Sequence, residues 1–134
     1  MRVIGVLKGK GSEVATIGPD QSLLAAAAEL GQRRIGALVV TSADGSVVGI
    51  ISERDVVASI ANDGAASLNR PVADVMTVDV ITCSPNDTME QLMSAMTEQR
   101  IRHLPVVDGK TLIGMLSISD IVRALRPARI DFPG

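Results

Sequence analysis

The chain repeats itself, and this duplication limits its fold more than any other feature. Val14-Ala-Thr16-Ile-Gly-Pro19 returns 66 residues later as Val80-Ile-Thr82-Cys-Ser-Pro85. The same spacing carries Arg34-Ile35 onto Arg100-Ile101, Leu38 onto Leu104 and Val40 onto Val106. One residue is then lost in a loop, and Gly49-Ile-Ile-Ser52-Glu-Arg-Asp55 falls on Gly114-Met-Leu-Ser117-Ile-Ser-Asp120. Upstream, Val3-Ile-Gly-Val6-Leu7 lies over Val72-Ala-Asp-Val75-Met76. The repeats therefore run 3–61 and 72–126, with a linker at 62–71 rich in turn formers and a tail at 127–134.

Each repeat has the same pattern. Val14 to Ile17 and Val80 to Cys83 read as short strands that stop at a proline. A helix follows, capped by Ser22 in one repeat and Thr88 in the other, where Gln91 completes a capping box. Met89, Leu92, Met93 and Met96 recur at helical spacing and form an apolar face suited to a core. Next comes a hairpin in which Leu38–Val40 and Val47–Ile51 flank Asp44-Gly45, and Leu104–Val107 and Leu112–Leu116 flank Asp108-Gly109. A last helix starts near Glu53 or Ile118. The unit is β-α-β-β-α, twice, an α+β (α/β) arrangement. Such a half is marginal alone, because a small domain buries too little of its surface. The two are therefore expected to pack together with pseudo-two-fold symmetry.

Composition removes several functions. With 134 residues, 46% of them apolar, the chain has material for one compact body. A net charge of −2 gives no basic field for nucleic acid or an anionic membrane. Cys83 is the sole cysteine and His103 the sole histidine, so no disulfide and no Cys- or His-rich metal site is expected. Phe132 is the only aromatic residue, which leaves no platform for stacking bases. The apolar stretch Met1–Leu7 is cut by Lys8 and Lys10, and no run approaches the roughly 20 residues that span a bilayer. The expectation is a cytoplasmic protein.

Gly49–Asp55 and Gly114–Asp120 admit two readings. On one, a serine N-cap and an acid three residues on simply start a helix. On the other, the open N–H groups of the helix start take a phosphate, the hydroxyl adds a donor, and the carboxylate accepts both hydroxyls of a ribose. The glycine then lets the backbone approach a ligand or a facing strand.

The duplicated β-α-β-β-α unit, the two Gly-x-x-Ser-x-x-Asp elements and Arg100-Ile-Arg-His-Leu-Pro-Val-Val-Asp108 resemble a tandem pair of CBS (cystathionine-β-synthase) domains, a Bateman module, over residues 3–126. The resemblance implies a stand-alone regulatory module that binds adenine nucleotides: AMP first, with ATP, ADP or NAD as alternatives. It would be a non-catalytic energy or redox sensor acting on another protein. By the family pattern, site one combines Ser52 and Asp55 with Thr77, Ile81, Arg102 and His103. Site two combines Ser117 and Asp120 with Val14, Ala15, Gly36 and Ala37. Arg102 and His103 could meet a phosphate, whereas Gly36 and Ala37 give room without charge. Without aromatics, an adenine would lie between aliphatics such as Ile51, Ile81 and Leu116.

Other signals resolve into structure. Gly109-Lys-Thr111 imitates a P-loop ending, but Leu104 stands where that motif needs glycine, so a hairpin turn is expected. Gly9-Lys-Gly11 reads as a loop, with Lys8 or Lys10 within reach of a ligand. His103 is open between phosphate contact and a plain surface position. Cys83 is expected to pack as a small apolar residue and Arg54 to be exposed. No nucleophile–base pair is suggested, so an enzyme is not expected. A structural dimerisation domain with empty nucleotide sites is the alternative. Val56, Val57 and Ile60, with Ile121, Val122 and Leu125, form stripes that point to a homodimer.

Overall fold

The computed structural model describes residues 1–10 and 14–126. Gly11, the tail at 127–134 and Phe132 lie outside the described residues. In chain order the elements are α1 (Val3–Lys10), β1 (Thr16–Ile17), α2 (Leu23–Arg33), β2 (Ala37–Thr41), β3 (Val47–Ser52), α3 (Glu53–Asp63), α4 (Met89–Gln99), β4 (His103–Asp108), β5 (Thr111–Ser117) and α5 (Ile118–Leu125). This is the mixed helix-and-sheet class expected of the repeat. Single 3-10 turns occur at Ala65–Asn69 and Val72–Asp74. The chain forms two compact units. Residues 14–81 with 110–112 form an N-proximal unit, and residues 1–10, 82–109 and 113–126 a C-proximal one.

In the N-proximal unit, β1 runs parallel to β2 with Thr16 opposite Val39, and β2 runs antiparallel to β3 with Leu38 opposite Ile51. The hairpin turn is where Asp44-Gly45 places it. Gly45 has φ +86°, a conformation that glycine adopts without steric cost. The hydroxyls of Ser42 and Ser46 hold the Asp44 carboxyl down to about 2. Ser22 caps α2 by accepting from the Ala25 amide at 3.1 Å. Ile17, Leu23, Leu30, Leu38, Val40, Ile51 and Val56 close a core over the sheet.

The C-proximal unit repeats this plan with α4, β4, β5 and α5. Thr88 and Gln91 form the expected capping box, Gln91 N–H to Thr88 Oγ1 at 3.2 Å and Thr88 N–H to Gln91 Oε1 at 2.8 Å. The strand expected over Val80–Cys83 shrinks to one parallel bridge, Cys83 opposite Val106. Upstream, Val80 N–H bonds back to Val78 O at 3.0 Å instead of crossing to a strand, and downstream the next residue facing β4, Pro85, has no N–H to give. The first strand is likewise trimmed to Thr16–Ile17. Cys83 is buried as a small apolar residue, and burial, aided by the Asp87 charge, pushes its thiol up to about 12.

The leading segment of each repeat packs in the unit built by the other. Val3 and Leu7 of α1 sit in the C-proximal core with Met89, Leu92, Met96, Leu104, Leu116 and Ile121. Val72 is fully buried in the N-proximal core. The anchoring bonds match one for one. Val3 N–H donates to Asp87 O and Val72 N–H to Gln21 O, while Ile4 N–H donates to Pro85 O and Ala73 N–H to Pro19 O. The linker also takes part, since Ser67 is buried and Leu68 packs on the N-proximal core.

Candidate functional site

Strands β3 and β5 run straight into α3 and α5, and a serine sits at each junction. Extended φ and ψ at Ser52 (−111°, 163°) and Ser117 (−96°, 165°) turn the side chain back over the first helical turn. Asp55 N–H donates to Ser52 Oγ at 3.2 Å, and Ser52 N–H to Asp55 Oδ2 at 2.9 Å. The matching bonds at Ser117 and Asp120 are 3.4 and 2.8 Å. Each serine hydroxyl also donates to its aspartate, at 2.9 and 3.0 Å. Both capping boxes are therefore complete.

The four leading amides of a helix lack a carbonyl partner within it. Here Gly36 O accepts from Glu53 N–H at 3.0 Å, and Arg102 O from Ile118 N–H at 2.8 Å. The serine takes the third-position amide. The second-position amides, of Arg54 and Ser119, have no acceptor among the described residues. Each element thus keeps a positive helix end and one open amide, while the single hydroxyl proton of the serine is given to its aspartate.

The carboxylates differ. Asp55 uses Oδ2 in its cap, and its Oδ1 has no partner among the described residues. Asp120 is buried, and Arg123 Nη1 lies 3.6 Å from its Oδ1.

The remaining expected site residues fall as follows. In the N-proximal unit, Ala37 is the ladder partner of Ser52 and Ala15 O accepts from Val39 N–H at 3.2 Å. Thr77 pairs with Ile50 through two backbone bonds of 2.9 and 3.0 Å, along the edge of β3. Ser52, Asp55, Thr77, Ala15, Gly36 and Ala37 are thus all fixed to one small sheet. Ala37 is fully buried, on the face of β2 opposite the core residues Leu38 and Val40. Val14 is half-buried and Ile81 is exposed. In the C-proximal unit, the backbone of Arg102 lies against the start of α5 with its side chain exposed, and His103 opens β4 half-buried.

Two expectations need correction. Ile51 and Leu116 are completely buried in the two cores and cannot flank a base. Alternation along the strands turns the half-buried Ile50 and Met115 to the opposite face, a pattern that the inward Gly49 and Gly114 already signal. The second concerns Gly9-Lys-Gly11, since Gly9 and Lys10 belong to helix α1 rather than a loop. The two motif glycines also acquire a definite purpose. A Cβ on Gly49 would stand 2.9 Å from Met76 Cγ and 3.0 Å from Thr77 O. One on Gly114 would stand 2.6 Å from Leu7 Cδ2. The close approach is made by the exchanged leading segments, with Met76 and Leu7 at equivalent positions. Gly109 has φ +63°, as the hairpin-turn reading of Gly109-Lys-Thr111 requires.

The last helices each show one buried and one exposed apolar flank. Val56 and Ile121 are buried. Val57 and Ile60 on α3, and Val122 and Leu125 on α5, are exposed at 64%, 38%, 51% and 37%. Arg54 is exposed. Among the described residues, no group of three His, Cys, Asp or Glu could hold a metal ion, and no helix is long and apolar enough to cross a membrane.

Comparison with known proteins agrees with this plan. The CBS domain matches twice, over residues 11–62 and 72–127. The crystal structure of the CBS-domain containing protein ATU1752 from Agrobacterium tumefaciens is 48% identical, with a TM-score of 0.89 and 92% of each chain covered. The CBS domain protein PAE2072 from Pyrobaculum aerophilum, complexed with AMP, is 27% identical with a TM-score of 0.81, covering 90% of this chain and 89% of that one. The CBS domain pair of protein MJ0100, in complex with 5-methylthioadenosine and S-adenosyl-L-methionine, is 25% identical with a TM-score of 0.83, covering 92% and 94%. Among curated relatives, the mitochondrial CBS domain-containing protein CBSX3 of Arabidopsis thaliana is 39% identical over 79% of this chain, which spans 53% of that protein's length.

Proposed function

Since the chain belongs to the CBS domain family and carries the domain twice in tandem, we propose that it is a regulatory module that binds an adenine nucleotide, AMP in the first instance. The observation that carries this reading is the pair of Ser-x-x-Asp elements, each with a hydroxyl, an open amide and a carboxylate at one helix start. The relatives solved with AMP and with S-adenosyl-L-methionine support an adenosine-bearing ligand.

The roles follow from the chemistry. The Arg54 and Ser119 amides offer donors to phosphate, and Ser52 and Ser117 join them by turning the O–H from the aspartate to the ligand. Asp55 and Asp120 accept the ribose hydroxyls. Arg102 supplies a cationic contact to a phosphate, and His103 a ring N–H. Val14, Ala15, Thr77 and Ile81 border the base, with Ile50 and Met115 in place of Ile51 and Leu116. Gly36 and Ala37 leave room. ATP, ADP, NAD and S-adenosylmethionine are the competing ligands, and the module acts by reporting occupancy to a partner protein rather than by turnover.

A second reading has its own observation. The capping boxes are complete without ligand, so serine and aspartate are already accounted for by helix initiation. The module would then be a structural dimerisation domain. Both readings accommodate a homodimer, because Val57, Ile60, Val122 and Leu125 leave matching apolar flanks open on the last helix of each unit. Light scattering tests that assembly: a mass near twice the 14.0 kDa chain, falling on Ile60→Asp, is the expected result.

Isothermal calorimetry separates the two functions. AMP should bind, and Arg102→Ala should weaken AMP by roughly tenfold or more while leaving adenosine nearly unchanged, as for a lost charge-assisted bond. No heat with AMP, ADP, ATP, NAD or S-adenosylmethionine supports the structural domain instead.

A further inference from the structure

We propose that α1 is a detachable strap: a weak helix, brought to the C-proximal unit from the opposite end of the sequence, that seats two side chains in that core and opens before the rest of the unit. Its attachment is specific. Val3 is fully buried, Leu7 is 4% exposed, and Leu7 fills the space left by Gly114 on β5. Val3 N–H and Ile4 N–H donate to Asp87 O and Pro85 O at 2.9 and 3.0 Å, and Met89 N–H donates back to Met1 O at 3.0 Å. These bonds gather at the first turn. Beyond Ile4, α1 is held mainly by Leu7, with Val6 packed at the core margin.

The helix itself is poorly built to stand alone. It has 8 residues, and two of them are Gly5 and Gly9. Helices shorter than about 12 residues do not persist unaided in water, and each interior glycine weakens one further. No acid stands in its first turn to complement the helix dipole. Neither glycine is demanded by packing, since a Cβ at either position meets nothing within 4 Å and neither has a positive φ. Helix α4 of the same unit is the contrast: 11 residues, a full capping box, and Met89, Leu92 and Met96 buried.

The N-proximal unit shows how its counterpart is built when it is not a strap. There the equivalent segment makes one 3-10 turn at Val72–Asp74, then extends so that Thr77 pairs with Ile50 through two backbone bonds. Residues 7–10 of α1 instead continue as helix, so their amides are satisfied within α1 itself. Opening α1 lifts Leu7 from Gly114, three residues ahead of Ser117, and uncovers the part of β5 that leads into the Ser117–Asp120 element. The strap does not depend on the nucleotide reading, because it rests on core contacts and helix strength alone.

Hydrogen-exchange mass spectrometry on the full chain, without nucleotide, tests it. Amides at 7–10 should exchange about 100-fold or more faster than those at 92–99 of α4, as for a local opening below the global one. Gly5→Ala, inside the helix and with open space for a methyl, should slow α1 by about fivefold, the factor expected for glycine against alanine in a helix interior, and leave α4 unchanged. Leu7→Ala should speed α1 by more than about tenfold. Equal rates in α1 and α4, or no response of α1 to Gly5→Ala, overturns the proposal.

Discussion

At Ser52–Asp55 the cap leaves one carboxylate oxygen without a partner on a half-buried residue, whereas at Ser117–Asp120 the corresponding oxygen faces Arg123 at 3.6 Å on a buried one. The backbone-to-carboxylate bonds of the two caps agree within 0.1 Å, at 2.9 and 2.8 Å. Duplication has therefore preserved the local geometry of helix initiation and let the electrostatics around it diverge. The leading segments diverged in the same way: eight helical residues in the C-proximal unit stand where the N-proximal unit has a short turn and an extended edge. Local hydrogen-bond geometry survives because a cap is specified by two residues. What surrounds it is specified by residues far away in sequence, and those vary independently.

The largest break in this comparison is expected from Leu7→Ala. Leu7 belongs to a core whose other members, α1 apart, lie more than 70 residues further along the chain. Truncating a buried leucine costs about 2–5 kcal/mol through lost burial and the cavity left behind. Urea unfolding followed by exchange or site-resolved signals should show the C-proximal unit losing this stability while β1–β3 and α3 keep theirs. Loss confined to the N-proximal unit would refute the exchanged packing. Met76→Ala is the mirror experiment, with the smaller effect expected of a half-buried residue.

The motif glycines come next. An added methyl at Gly114 meets only the far end of the Leu7 side chain, which can move. At Gly49 it meets Met76 and, at 3.0 Å, the Thr77 carbonyl oxygen, which is held by its bond to Ile50. Overpacking of this kind costs roughly 1–3 kcal/mol. Gly49→Ala should therefore destabilise more than Gly114→Ala, measured as the shift in urea midpoint at constant slope. The reverse order would mean that α1 is held more rigidly than the Met76–Thr77 segment.

Asp55→Ala against Asp120→Ala sharpens the functional side. Each removes acceptors for a ribose, worth roughly 1–3 kcal/mol of binding, and a helix cap, worth about 0.5–2 kcal/mol of stability. The open oxygen of Asp55 needs no rearrangement to accept a hydroxyl, whereas Asp120 has Arg123 to share. AMP titrations should show the larger loss for Asp55→Ala. If the double variant binds AMP like the parent, the assignment of both carboxylates to ribose fails.

What the sequence disclosed and what it withheld divide along the same line. The caps at Ser22, Ser52, Thr88 and Ser117 and the turns at Gly45 and Gly109 were legible, because each is a contract between residues no more than three apart. The pairing of Leu7 with Gly114 and of Met76 with Gly49 was not, although the repeat alignment had set Leu7 over Met76. Nothing local says which unit a leading segment will join. The expected strand at Val80–Cys83 fails for local reasons: Val80 N–H turns back to Val78 O, and Pro85, the next residue facing β4 after Cys83, has no N–H. Ile51 and Leu116 fall on the core side rather than the ligand side because a strand's period of two carries a phase that its composition alone does not reveal. Phase follows from the inward Gly49 and Gly114, and these mark Ile50 and Met115 as the outward neighbours.

The smallest expected effect tests where the repeats should still behave alike. Helices α2 and α4 both end on an arginine in the left-handed region, Arg34 at φ 55° and Arg100 at φ 56°. Each arginine amide bonds back to its helix, to Leu30 O and Met96 O, and the next amide, of Ile35 or Ile101, bonds to the same carbonyl at 3.2 or 3.1 Å. The position is the one that glycine favours at a helix end, since it has no Cβ to clash with the carbonyl that follows. Left-handed backbone costs a non-glycine residue about 1–2 kcal/mol, while glycine returns about 0.5–1 kcal/mol of that through the entropy of the unfolded chain. Arg34→Gly and Arg100→Gly should therefore each stabilise by at most about 1 kcal/mol, equally in the two units, because the backbone angles are the same. Thermal melts of the two variants with matched rises support a purely conformational cost. A gain in one and a loss in the other would show that an arginine side chain makes up its backbone cost through a contact on one unit alone, extending the divergence between the repeats to the helix ends.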